Sequence, residues 1–337
     1  MKNKFVSVYS PLLIFALFFI SCTQHEFTRF ERVLGTVIVI TIHERVPDSV
    51  YSDIFARIHE IENLMSVNIP TSDVSRINAA AGIEPVQVHA DTFKVIERAL
   101  YFARLSDGAF DPTIGPLTAL WDITENPRVP SQEEIDEILP FINWRNVDLD
   151  ERTNSVFLRY AGMALDLGGI AKGFAADEAA RAADRAGVNS AIIDLGGDIV
   201  VLGRREDGNP WRIGVQHPDE RRGTAVGFME ITEPLATVVT SGIYERFFEA
   251  DGIRYHHIFS PTTGFPARTG LLSVTIISDN SMDADALSTA IFVLGYERGS
   301  ALLRFFPGVK TVFVFEDRSI RTIGEVNFTL LDNTFFF

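Results

Sequence analysis

The chain is poor in cysteine: among its 337 residues there is one, Cys22. A lone cysteine excludes any internal disulfide, so the fold must rest on packing whatever the redox state of its compartment. Positive charge is also scarce, with 30 Lys and Arg against 45 Asp and Glu, a net charge of −15 and a pI near 4.9. That balance excludes a nucleic-acid partner held by a basic surface, and a polyanionic ligand would need local positive charge or a metal. There is no low-complexity tract and no linker-like stretch after the N-terminus, so the bulk of the chain reads as one unit. The adjacent His256 and His257 have no third His or Cys nearby, and neighbouring strand residues face opposite ways, which argues against a zinc site. One is expected to be a base or a phosphate contact and the other a surface residue.

What is present begins with an address. Lys2 and Lys4 precede an apolar run from Pro11 to Ile20, too short for a membrane span and suited to a signal peptide. Phe19-Ile20-Ser21-Cys22 resembles a bacterial lipobox. The expectation is a signal peptide over 1–21 and a lipidated Cys22 opening the catalytic domain over 22–337. The protein would then be an exported lipoprotein, anchored on the periplasmic side of the inner membrane.

Alternation and β-branching predict a strand over 33–42, and apolar spacing predicts a helix from Asp48 or Ser49 to Met65. A second helix is predicted from Asp91 to before Gly108, followed by a rigid apolar loop over 106–117 that reads as a wall of a site. Ser131 with Glu134 makes a capping box. Paired strands over 156–160 and 162–165 deliver the turn Asp166-Leu-Gly-Gly-Ile-Ala-Lys172-Gly173, from which an alanine-rich helix runs to about Gly187. The two glycines allow close backbone approach, and the helix start with Lys172 is a natural seat for phosphate. An ordinary strand–turn–helix connection with a surface lysine reads equally well from this stretch alone. Asp-Leu-Gly-Gly recurs at 194–197 inside strand-like sequence, read as a bulge or a close backbone approach and as a second contact to the same ligand.

Strands dominate from Trp211 to Ser278, and helices over 281–294 and 297–306 precede a late strand over 309–315. Short turns between many of the strands favour α+β with antiparallel sheet over a parallel architecture. Asp285 and Thr289, at i and i+4, share a helix face and offer hard oxygen donors suited to Mg²⁺. Local explanations serve as well, because aspartates suit a helix start and threonine bonds its own backbone.

Taken in order, Leu34-Gly-Thr36, the segment 108–117, Asp166–Gly173, Thr-Ser-Gly-Ile-Tyr at 240–244, His-His-Ile-Phe-Ser-Pro-Thr-Thr-Gly at 256–264 and Asp285-Ala-Leu-Ser-Thr289 resemble the ApbE-type FAD:protein FMN transferases. The similarity covers essentially the whole chain after Cys22. It implies a T-fold-like single catalytic unit with antiparallel sheet and flanking helices. It also implies a Mg²⁺-dependent transfer of FMN from FAD to a threonine hydroxyl, with AMP released. The acceptors would be flavoprotein subunits of membrane redox complexes. By position, the resemblance makes Asp285, Thr289 and the Gly169 carbonyl metal ligands, and gives His257 a role in proton transfer. Asp166, Lys172, Ala109, Phe110, Asp111, Leu34 and the backbone near Phe259 would contact FAD, with Asn68 also at the flavin. The family often carries Tyr where Asn68 stands, and Asp or Asn where Ser260 stands. Asparagine is smaller and wetter, which keeps open FAD hydrolysis to FMN and AMP. A lipoprotein that only binds flavin is the remaining alternative, and the Asp285/Thr289 pair argues against it.

Overall fold

The computed structural model describes residues 27–205 and 207–337. The expected signal peptide over 1–21 and Cys22 lie outside the described residues. Strands β1 (Thr28–Val33) and β2 (Thr36–Ile42) form a hairpin around Leu34 and Gly35. Both turn residues have positive φ, 55° and 67°, the backbone that matches the twist of a tight hairpin. The strand expected over 33–42 is present as β2 but starts only at Thr36, because leucine at positive φ gives no turn signal in sequence. The Leu34 amide donates to Glu62 Oε1 at 2.6 Å, tying the hairpin to α1 (Asp48–Met65). That helix buries Val50, Ile54, Ile58, Ile61 and Met65, the stripe read from its spacing. It starts after Pro47, without a side-chain cap.

Next come α2 (Asp73–Ala79), β3 (Val86–Gln87), α3 (Ala90–Leu105), α4 (Gly115–Trp121) and α5 (Gln132–Ile138). The Ser131–Glu134 capping box forms at the start of α5. The apolar segment after α3 ends in α4 and not in a continuous loop. Strands β4 (Val147–Asp150) and β5 (Ser155–Leu158) join β3 in a small sheet. The strand expected over 162–165 pairs with no other strand. Instead the Asn78 side chain exchanges two hydrogen bonds with the Leu165 backbone, 2.7 and 3.0 Å, in place of a neighbouring strand.

Helix α6 (Ala171–Arg185) is followed by β6 (Ala191–Leu195) and β7 (Asp198–Leu202), antiparallel neighbours joined at Gly196 and Gly197. With φ of 71° and 109°, these glycines form a hairpin turn and not a bulge, and the expected close approach is at Gly196, where a Cβ would stand 2.2 Å from Thr36 Oγ1. Strands β8 (Trp211–Gln216), β9 (Ala225–Ile231), β10 (Leu235–Gly242), β11 (Phe247–Ala250), β12 (Ile253–His256) and β13 (Leu271–Ser278) precede α7 (Ser281–Ser300). A positive φ at Gly295 kinks α7 where the sequence separates two helices. Strands β14 (Lys310–Phe315), β15 (Ile320–Ile323) and β16 (Phe328–Leu330) complete the chain.

The principal sheet has eight antiparallel strands in the order β1-β2-β6-β7-β10-β13-β14-β15. Helices α1, α6 and α7 cover one face through a core that includes Ile40, Ile58, Phe174, Ile193, Ile276 and Phe292. The other face packs on the three-stranded sheet β16-β9-β8 through Val238, Val312, Ile213 and Met229. The architecture is thus α+β, helices over sheet over sheet, as the short turns imply. Each fully buried Ile or Phe contributes roughly 1.5–3 kcal/mol of transfer free energy.

Helices α6 and α7 approach closely where they cross at Gly173. A Cβ placed on Gly173 would stand 2.2 Å from the Ser281 carbonyl oxygen and 2.8 Å from Asp285 Cβ. Only glycine fits there. Gly173→Ala is expected to push the helices apart and destabilise the fold by about 1–3 kcal/mol, lowering the calorimetric midpoint by several degrees. An unchanged midpoint would show that the crossing is not tightly packed.

Candidate functional site

The two helices cap one another. Asp177 of α6 accepts the amides of Ser281 (2.8 Å) and Met282 (3.1 Å) at the start of α7. Asp285 of α7 returns the arrangement, its Oδ2 accepting the Gly173 amide of α6 at 3.0 Å. The start of α6 is therefore not an open anion seat, since a carboxylate already occupies one of its amides. Lys172 extends from this junction and donates to Asp198 Oδ2 at 2.6 Å, with Asp285 Oδ1 at 3.8 Å. Burial opposes the ammonium, yet Asp198 and then Asp285 outweigh it, so the Lys172 pKa is raised and the charge persists. Burial, reinforced by the Asp198 carboxylate and opposed by Lys172, pushes Asp285 up to about 7.

The remaining expected positions divide into those at the junction and those apart from it. Thr289 lies one turn beyond Asp285 and faces the Asp166 turn: its Oγ1 is 3.6 Å from where a Cβ would stand on Gly169. Phe110 closes the same turn, with its ring edge 3.1 Å from that point. Ala109 and Phe110 thus bring the 108–117 segment to the glycine turn, as a wall of the site. Asp111 spends its carboxylate internally, accepting from the Thr113 amide and hydroxyl and from the Trp144 amide. Asp166 Oδ1 accepts the Gly168 amide at 2.8 Å and shapes the turn. Phe259 is buried and stacks on Trp121 at 5.6 Å, so only its backbone is free for a ligand. Leu34 occupies the β1–β2 turn, and Asn68 is exposed just past α1.

The histidines part company. His256 is buried, with Nε2 3.0 Å from the Ala267 carbonyl and Nδ1 accepting the Ile258 amide, its ring edge-on to Phe292. It is a core residue, not the surface residue expected. His257 places Nδ1 3.1 Å from the Arg246 carbonyl. A carbonyl only accepts, so Nδ1 carries the proton and Nε2 keeps a lone pair. Desolvation, then the Arg246 guanidinium, lower the His257 pKa and keep the ring neutral.

Sequence reasoning missed three contributors, Asp177, Asp198 and Glu245, and carried a fourth, Ser241, only within the 240–244 motif. Asp198 follows the second Asp-Leu-Gly-Gly, whose repetition was the one available signal. Ser241 lies 3.2 Å from Thr289 Oγ1. Glu245, its pKa raised by burial, reaches Arg222 at 4.0 Å beside the Gly197 turn. Among the described residues no group of three or more His, Cys, Asp or Glu could hold a metal ion. No helix among them is long and apolar enough to cross a membrane.

Comparison with known proteins gives the class of this fold. A solved ApbE protein from Thermotoga maritima superposes with a TM-score of 0.78 at 37% identity, covering 87% of this chain and 96% of that one. The flavin transferase ApbE from Vibrio cholerae superposes with a TM-score of 0.77 at 28% identity, covering 88% and 96%. A curated FAD:protein FMN transferase of Treponema pallidum (strain Nichols) is 39% identical over 314 residues, 88% of this chain and 86% of that protein. The ApbE family model matches residues 34–313, and the chain belongs to the ApbE family. Family membership makes it an enzyme of flavin-transfer chemistry, with FAD as substrate.

The neutral core histidine makes a pH prediction. The His256 pKa is lowered by burial from 6.5 to about 4. Protonation then favours the unfolded chain, so the stability His256 supports is intact above pH 6.5 and lost as pH falls toward 4. The loss is on the order of 2–3 kcal/mol. Denaturant melts across that range should show a shallower decline for His256→Gln, whatever its absolute stability. An unchanged slope would contradict a neutral, buried His256.

Proposed function

We propose that the α6–α7 junction binds the pyrophosphate of FAD with Mg²⁺ and transfers the FMN half to a threonine hydroxyl of an acceptor flavoprotein, releasing AMP. The observation that carries this reading is the meeting of Asp285, Thr289, the Gly169 turn and Lys172 at one helix crossing. The donor set suits the ion: a carboxylate, a hydroxyl and a backbone carbonyl are hard oxygen ligands, and phosphates and water would complete an octahedron. It is also a donor set that contains only one carboxylate, so a cluster of acidic side chains is not required. When bound, Mg²⁺ would supply charge neutralisation at the pyrophosphate as the bond to AMP breaks.

The chain's own residues do the rest. Lys172, held by Asp198, keeps a fixed positive charge where an acidic protein must accept an anion. The glycine turn at 168–169 lets the ligand approach the backbone, and Phe110 walls it from solvent. The acceptor threonine oxygen forms a bond to the FMN phosphorus, and the bond from that phosphorus to the oxygen of AMP breaks. His257 takes the threonine proton on Nε2, the nitrogen its Nδ1 contact leaves free.

A second outcome at the same site is favoured by Asn68, exposed where the family often carries Tyr. Its amide holds water in place of a shielding ring, and water in line with the same bond yields free FMN and AMP. Cys22 is proposed as the lipidated residue that tethers the enzyme on the periplasmic side of the inner membrane. Redox-complex subunits exposed there are the proposed acceptors.

The test is Asp285→Asn, which keeps an acceptor for the Gly173 amide while removing the charge. With FAD, Mg²⁺ and a threonine-bearing acceptor domain, AMP release should fall at least about 100-fold. Undiminished release by a folded variant would overturn the assignment.

A further inference from the structure

Thr289 stands at the end of a chain of hydroxyls linking α7 to β10. Ser288 Oγ donates to the Asp285 backbone carbonyl at 2.9 Å. Ser241 Oγ lies 2.8 Å from Ser288 Oγ and 3.2 Å from Thr289 Oγ1. Ser241 and Ser288 are both buried, so these contacts are not exchanged with bulk water.

Each hydroxyl owns one proton and two lone pairs. The Ser288 proton is committed to the Asp285 carbonyl. The contact between Ser241 and Ser288 then contains a proton only if Ser241 donates. With the Ser241 proton spent, the contact between Ser241 and Thr289 contains one only if Thr289 donates. Any other assignment leaves two oxygens facing each other at hydrogen-bond distance with nothing between them, which is costly in a buried site.

We infer that the chain is directional, running from Thr289 through Ser241 and Ser288 to the Asp285 carbonyl, and that Ser241 is a positioning residue for the metal ligand Thr289. The inference rests on the proposed magnesium site. Its consequence is that the Thr289 proton is drawn toward β10, leaving its lone pairs for the side that faces the Gly169 turn. In the reverse polarity the Thr289 proton would point into the site and oppose a cation. The chain also begins and ends on the metal-binding turn of α7, so Asp285 and Thr289 are held in register by the same hydroxyls. Residues that orient metal ligands in this way change metal affinity by about 10–100-fold when removed.

The test uses the full chain, titrated with Mg²⁺ at fixed FAD and read by the initial change in flavin fluorescence before turnover. Ser241→Ala should raise the Mg²⁺ concentration for half-maximal response about 10-fold or more. Its flavin signal without metal should stay near wild type. Ser241→Thr keeps the hydroxyl and should restore the wild-type response. Ser241→Cys, nearly isosteric and a weak donor, serves if the alanine variant does not fold, and should shift in the same direction. A metal-free melt establishes folding for each variant. An unshifted Mg²⁺ response in folded Ser241→Ala or Ser241→Cys overturns the directional chain and leaves the metal site standing. A wild-type protein that shows no Mg²⁺ response overturns the metal site, and the inference with it.

Discussion

Asp177 of α6 holds the first amides of α7, beside the Asn280 cap, and Asp285 of α7 holds an amide of α6, which has no side-chain cap of its own. This exchange depends on Gly173, whose missing side chain lets the Ser281 carbonyl approach the α6 backbone. Helix starts carry unpaired amides and partial positive charge, and a carboxylate at each satisfies both. The consequence reaches past packing. The same crossing fixes Asp285 beside Lys172 and sets Thr289 opposite the Gly169 turn, so the position of the donors follows from a close helix contact.

Stability alone does not explain the charges at the junction. A buried ion pair contributes little net free energy, because desolvation offsets its attraction. Lys172, Asp198 and Asp285 nevertheless sit together with Asp198 and Asp285 almost fully buried. One lysine against two carboxylates leaves the cluster without surplus positive charge, so the proposed pyrophosphate would need a cation beside Lys172. The raised pKa of Asp285 has the same origin, since burial and the nearby Asp198 both disfavour a second negative charge. A divalent cation would relieve that conflict directly.

The sequence was most legible where a local rule had a single structural solution. The α1 stripe, the Ser131–Glu134 box and the interruption near Gly295 all behave as spacing and capping chemistry dictate. It was least legible where a side chain or an uncommon backbone did the work of a strand or a glycine. Leu34 turns a hairpin at positive φ, and Asn78 substitutes for a strand beside Leu165. Gly196 and Gly197 lie in strand-like sequence, yet their positive φ closes a hairpin that delivers Asp198 to Lys172. Of the site, Asp285, Thr289, Lys172 and Gly169 were readable as a motif set. Ser241 was readable only as part of the 240–244 motif, and Asp177 and Asp198 were not, because their partners are distant in sequence and their chemistry is defined only by the α6–α7 and α7–β10 contacts.

The central claim is that these contacts gather the donors of one cation site at the helix crossing. Anomalous diffraction from crystals grown with FAD and Mn²⁺ tests it most directly. The account predicts a single strong peak bonded to the Asp285 carboxylate, Thr289 Oγ1 and the Gly169 carbonyl, adjoining the FAD pyrophosphate. A peak held by other residues, or FAD bound with no peak at that crossing, would contradict it.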